Sequence, residues 1–258
     1  MNSPFEEPDD EREFSEPFIP ESDDSESAES DLPQFDDDGN MPVMPTEANV
    51  HSDPLILTDE EFREFVDLRH TIAERADFNG SAQGIRDFLD AIGEDTTREG
   101  LKDTTRRVIE SWEELYCGYA VDIPSLFTTF DAEQYDEMVL LRGIHFYSMC
   151  EHHILPFYGV AHVAYIPGTK IVGLSKLARL VEAFSRRLQN QERLTKQIVD
   201  TLNEHLSPRG AACIIEGQHM CMACRGVQKP NSVMVTSCIT GAFNTPATRA
   251  ELFSLIKG

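Results

Sequence analysis

Basic residues are nearly missing from the first sixty positions, where Arg12 alone stands against 20 aspartates and glutamates. That deficit carries −19 of the formal charge of −24; the other 21 bases and 26 acids leave −5, an ordinary globular balance. Nothing in that balance calls for a polyanionic partner, so no nucleic acid is expected, though a local basic pocket is compatible with it. The chain also lacks any run near the ~18 apolar residues of a membrane span. Its acidic opening, MNSPFEEPDDEREF, has no apolar core of a secretory signal. The expectation is therefore a cytoplasmic protein with no membrane partner. Cysteine is sparse, six in 258 residues, and without a secretion signal these read as reduced thiols or metal ligands rather than a disulfide framework. No internal repeat is present.

Residues 1–54 are rich in Asp, Glu, Ser and Pro and hold too little apolar surface to offset the entropy of ordering, so an acidic disordered tail is expected there. Its plain reading is solubility; its sharper reading is a partner-binding or phosphorylated segment. A helical region is expected over 55–120. One helix begins at 57 with Thr58 as cap, a second covers 81–93 and ends at Gly93, and a third covers 97–119 with Leu101, Val108, Trp112 and Leu115 near helical spacing.

From 121 to 258 the pattern is that of an α+β domain. Segments 137–149 and 156–168 are β-branched and aromatic, as strands are. Two helical stripes follow. The first, 175–188, carries Leu177, Leu180, Val181, Phe184 and Leu188, with Ser175 as its natural cap; the second, 191–206, carries Leu194, Ile198, Leu202 and Leu206. Strand-like runs at 210–219 and 231–243 precede a last helix with Thr245 as cap and Pro246 at its first position. The order predicts an antiparallel four-stranded sheet with two helices inserted between hairpins and covering one face. Open sheet edges also predict oligomerisation.

The chemistry concentrates in MCEHHILPF and HMCMACRG. Cys150 and His153 have the C-x-x-H spacing that lets two side chains of one tight loop meet a single ion. Cys221 and Cys224, with His219, end another predicted strand. If both cysteines join, the shell is a closed, structural Cys3His site; if Cys221 alone joins, the fourth position stays open and the site is catalytic. The spacing mildly favours the closed form, yet Glu151 and His152 are additions a structural site does not require. Cys117, Cys213 and Cys238 lie in regular structure and read as packing residues.

Three stretches in this order, CEHHILPFYGVAHVAYIP, GLSKLARLVEAFSRRLQNQERLT and HMCMACRGVQK, resemble GTP cyclohydrolase I, and GEDTTREGLKDTTRRVIESWEEL resembles its upstream helical signature. The likeness covers roughly 60–258 and leaves out the acidic tail. It implies a tunnelling-fold unit that closes into barrels, a decamer of two five-membered rings, and active sites between subunits. It implies conversion of GTP and water to formate and 7,8-dihydroneopterin triphosphate, with Zn2+ held by Cys150, His153 and Cys221, the open arrangement.

Imidazoles suit the proton transfers of that reaction. His152 is then the proton carrier at the imidazole ring of guanine, and His219 serves the later ribose rearrangement. Glu151 orients these groups. Glu192 would pair with guanine N1–H and the 2-amino group, although residue chemistry alone reads it as a helix-start carboxylate. Ser175, Lys176, Arg179 and Arg225 would bind the triphosphate. GLSK is not a phosphate-binding loop of the G-x-x-x-x-G-K-[ST] kind, and no magnesium site is evident.

Two departures from the family pattern stand out: Cys224 replaces a usually apolar residue, and Thr105 a common proline. Two other readings compete. A nitrile reductase of related fold is opposed by the CEHH motif. A non-catalytic zinc-stabilised nucleotide-binding or interaction protein with a closed Cys3His site is opposed by His152 and His219 and favoured by Cys224.

Overall fold

Strand β2, Val139–Cys150, runs antiparallel to β3, Leu155–Ile166, from Val139 opposite Tyr165 to Cys150 opposite Leu155. The computed structural model of the chain describes residues 78–257. The acidic tail expected over 1–54 and the helix expected from Thr58 lie outside the described residues. Before the sheet come α1, Phe78–Ala91, α2, Thr104–Leu115, two short 3-10 turns and β1, Thr129–Asp131. After β3 come β4, Lys170–Val172, α3, Leu174–Ser185, β5, Leu188–Gln189, and α4, Gln191–Leu206. Then follow β6, Gly210–His219, the one-turn α5, Met220–Ala223, β7, Met234–Ile239, and α6, Pro246–Lys257.

The main sheet has five strands in the order β5-β2-β3-β6-β7, one more than expected. The additional strand is β5, whose two residues pair in parallel with Met149 and Cys150. Residues 186–188, expected to end a helix, leave it after Ser185 so that β5 can reach that edge. The other pairings are antiparallel, and β1 with β4 forms a separate two-stranded ribbon. Gly143, at φ +78°, sits in the register shift of β2 between Leu141 and Ile144, a left-handed position that suits glycine.

Helices α3 and α4 cover one face of the sheet because their apolar stripes have nowhere else to go. Leu177, Leu180, Leu194, Ile198 and Leu202 are at most 1% exposed and pack with Phe146, Phe157, Ala211, Cys213 and Ile215. Burying each such aliphatic side chain contributes roughly 1.5–3 kcal/mol before entropy is counted. Strand period two sends the alternate residues Ala212 and Ile214 to the opposite face, against Phe243 and Leu252. The N-cap of α3 is Gly173 rather than Ser175, which lies inside the first turn with no capping bond. Thr245 does cap α6, its Oγ1 accepting from the Thr248 amide at 3.4 Å. The third expected helix is shorter than its sequence pattern: turns occupy 96–103, and α2 begins at Thr104 with Thr105 in its first turn.

Candidate metal centre and the residues around it

Between β2 and β3 the chain reverses in four residues. His153 N and Ile154 N both donate to Cys150 O, at 3.3 and 2.8 Å, and Ile154 takes φ +51°. This single turn puts residues three apart on one side, so Cys150 Sγ and His153 Nδ1 come within 3.6 Å. β3 holds β6 in register, Phe157 opposite His219, so α5 emerges beside that turn and brings Cys221 to it. One donor atom from each of Cys150, His153 and Cys221 lies within 4.8 Å of the others. Two sulfurs and an imidazole nitrogen form a soft donor set of the kind zinc prefers. Burial, and then the adjacent Cys150 thiol, push the Cys221 thiol pKa up, while Arg225 pulls it down. A bound cation would relieve that thiol crowding. Cys224 falls outside this group; its thiol is exposed and donates to Met220 O at 3.0 Å.

The other candidates at this end of the sheet differ in how firmly they are held. His152 is mostly exposed, with Nδ1 3.9 Å from Cys150 Sγ and Nε2 3.9 Å from Glu151. Glu151 is engaged: Arg193 Nη2 and Asn190 Nδ2 donate to its two oxygens, and its amide donates to Gln189 O. The Arg193 hydrogen bond is the main reason its pKa is lowered. Its carboxylate thus fastens the metal turn to the start of α4. His219 lies flat on Phe157, centroids 4.6 Å apart and planes 3° apart, with Nε2 2.9 Å from Gln191 Oε1. Burial lowers its pKa, and the nearby Glu192 charge raises it. Glu192 is exposed in the first turn of α4, where Asn190 caps by accepting from the Arg193 amide at 2.8 Å.

Ser175, Lys176 and Arg179 are elsewhere in the protomer. α3 begins just after β4, beside the Val139–Ile166 end of the hairpin, and its last residue precedes β5, which pairs with Cys150. Its 12 residues therefore span the sheet, about 18 Å of helix axis at 1.5 Å per residue. Ser175 and Lys176 in its first turn therefore lie towards the opposite end of one subunit's sheet from the three metal donors, and Arg179 lies near the middle of the helix.

Sequence reading missed Gln191 and Arg193, which hold His219 and Glu151. A signal was present: Gln191 and Thr195 continue the buried stripe of Leu194, Ile198 and Leu202 as polar residues, and a polar side chain on such a stripe must be hydrogen-bonded.

Residues 81–257 match the family model described as GTP cyclohydrolase I. The chain is 55% identical over 170 residues to GTP cyclohydrolase 1 of Wolinella succinogenes, spanning 66% of this chain and 91% of that one. Identity to GTP cyclohydrolase 1 of Carboxydothermus hydrogenoformans is 55% over 174 residues, 67% of this chain and 91% of the relative. Against GTP cyclohydrolase 1 of Halalkalibacterium halodurans it is 50% over 186 residues, 71% and 99% of the two chains.

Proposed function

The chain belongs to the GTP cyclohydrolase I family and is an enzyme of that activity; from this premise we propose that it works as a zinc enzyme with Cys150, His153 and Cys221 as ligands. The products are formate and 7,8-dihydroneopterin triphosphate. The observation that carries the reading is the convergence of those three soft donors from two segments about seventy residues apart. When bound, zinc supplies Lewis acidity that brings the pKa of water towards ~7.

The chain's own groups have separate work. His152, exposed and tied to no single partner, reaches the imidazole portion of guanine and carries protons there. His219, fixed on Phe157, serves the ribose rearrangement. Glu192 accepts the guanine N1–H and 2-amino hydrogens. Glu151 does not touch substrate; held by Arg193 and Asn190, it keeps the Cys150–His153 turn in place. Arg225 stands on the metal side for the triphosphate, and Ser175, Lys176 and Arg179 provide the remaining contacts.

Ser175 and Lys176 come from a neighbouring subunit, because within one protomer they stand towards the far end of the sheet, and Arg179 accompanies them on the same helix. The working form is therefore a homo-oligomer, a decamer with interfacial active sites. Supporting this, β5 and β7 leave sheet edges open among the described residues, and Tyr147, Tyr158 and Val235 are exposed on the face opposite α3 and α4. Among the described residues no helix is long and apolar enough to cross a membrane. We place the enzyme in the cytoplasm, with GTP as its partner and no nucleic acid or membrane.

Metal analysis of the purified protein and two variants tests the ligand set. Native protein and Cys224→Ala are expected to carry an equivalent of zinc per chain and to turn over GTP, whereas Cys221→Ser loses both. Loss of zinc and folding in Cys224→Ala would instead indicate the closed Cys3His site.

A further inference from the structure

Gln191 is fully buried at the first position of α4, and every polar atom of its carboxamide is engaged. The two hydrogens of its Nε2 are shared among three acceptors, Ile215 O at 3.0 Å, Met234 O at 2.9 Å and Thr236 Oγ1 at 3.1 Å. Backbone carbonyls only accept, so the amide cannot be flipped: an oxygen in that place would face two other oxygens. The hydroxyls agree in direction. Thr195 donates to Gln191 O at 2.7 Å, so at the 2.7 Å contact between hydroxyls Thr236 donates to Thr195, leaving Thr236 Oγ1 to accept from Gln191. Hence Oε1 is an acceptor, and the group it meets is His219 Nε2 at 2.9 Å.

Gly217 makes this approach possible, since a Cβ there would lie 2.4 Å from Gln191 Oε1. Phe157 stacking fixes the plane of the same ring. Nδ1 makes no hydrogen bond among the described residues, and His219 is only half-buried.

We infer that Gln191 is a positioning residue for His219, holding the imidazole with its proton on Nε2 so that Nδ1 alone exchanges protons with bound reactants. This holds for the neutral and the charged ring, because Nε2 donates in both. It rests on the reading of His219 as a proton-transfer group, and it assigns the atom through which that group works. A ring free to adopt the other form would present N–H where a lone pair is needed, the loss that an orienting partner of a catalytic histidine prevents.

The test uses the zinc-loaded full chain with 15N-labelled histidine, observed by magic-angle-spinning NMR and assigned by the signal lost in His219→Ala. The expected native spectrum shows Nε2 protonated. In Gln191→Met both neutral forms appear, and kcat for pterin formation falls roughly 10²-fold, the scale of acid–base assistance, with KM for GTP and zinc content unchanged. Gln191→Glu, whose neutral carboxyl keeps an acceptor and a donor, is expected to recover the Nε2–H form and part of kcat. A native ring protonated on Nδ1 with Nε2 bare overturns the inference, and needs no variant to fold. So does Gln191→Met with an unchanged spectrum and kcat. Full turnover in His219→Ala removes the premise instead, whatever the spectrum shows, and so separates the two failures.

Discussion

Neighbouring residues in CEHH receive opposite treatment from the fold. Cys150 is buried and pairs with His153 through the i, i+3 geometry of one turn, Glu151 is anchored by Arg193, and His152 is left outward. Such a division suits one histidine bound to metal and one working on substrate. His152→Ala is expected to keep zinc and assembly while turnover drops by roughly 10²-fold; steady-state kinetics beside metal analysis checks this, and near-normal turnover would remove His152 from the chemistry. The two histidines were distinguishable in the sequence by spacing and family likeness. Gln191 shows in the sequence only as a polar member of an apolar stripe; its role does not, because Ile215 O and Met234 O reach it only through sheet pairing.

At the scale of elements, the strands and the two helices between them were legible from periodicity, since their apolar stripes are what the core buries. Strand β5 was not. Leu188–Gln189 carries no two-residue signal of its own and becomes a strand only because Met149 and Cys150 offer it an edge. The long third helix was over-read for a related reason: helical spacing persists through 97–119, but the Asp95 carboxylate binds Thr97 locally and a turn wins. Packing between β3 and β6 is the tightest constraint near the site. A Cβ at Gly159 would lie 1.9 Å from Glu216 O, a backbone atom that cannot rotate away. Gly159→Ala should therefore destabilise the protein by about 1–3 kcal/mol or more, read as a lower urea midpoint, and should loosen zinc by spreading the strands that carry the ligands. An unchanged midpoint would mean that the two strands can separate at little cost.

For the molecule as a whole, the proposed function divides the site into two halves within one protomer. The metal donors stand at one end of the sheet, beside the last residue of α3, whereas Ser175 and Lys176 lie in its first turn, roughly 14 Å of helix axis away, and Arg179 about one turn further in. Side by side, copies of the chain can bring one subunit's cations to another's metal, which open sheet edges favour. The sequence supported an oligomer through those edges and the family likeness, but the separation of the half-sites required the register of β2, β3 and β5. The most direct test co-expresses Cys221→Ser and Lys176→Glu chains under different affinity tags, purifies oligomers through both tags, loads zinc and follows formate and pterin absorbance from GTP together. The account predicts that each variant alone is inactive and that mixed oligomers release formate and pterin in equal amounts, from sites pairing an intact metal turn with an intact α3. Mixed oligomers no more active than the two variants alone would contradict it.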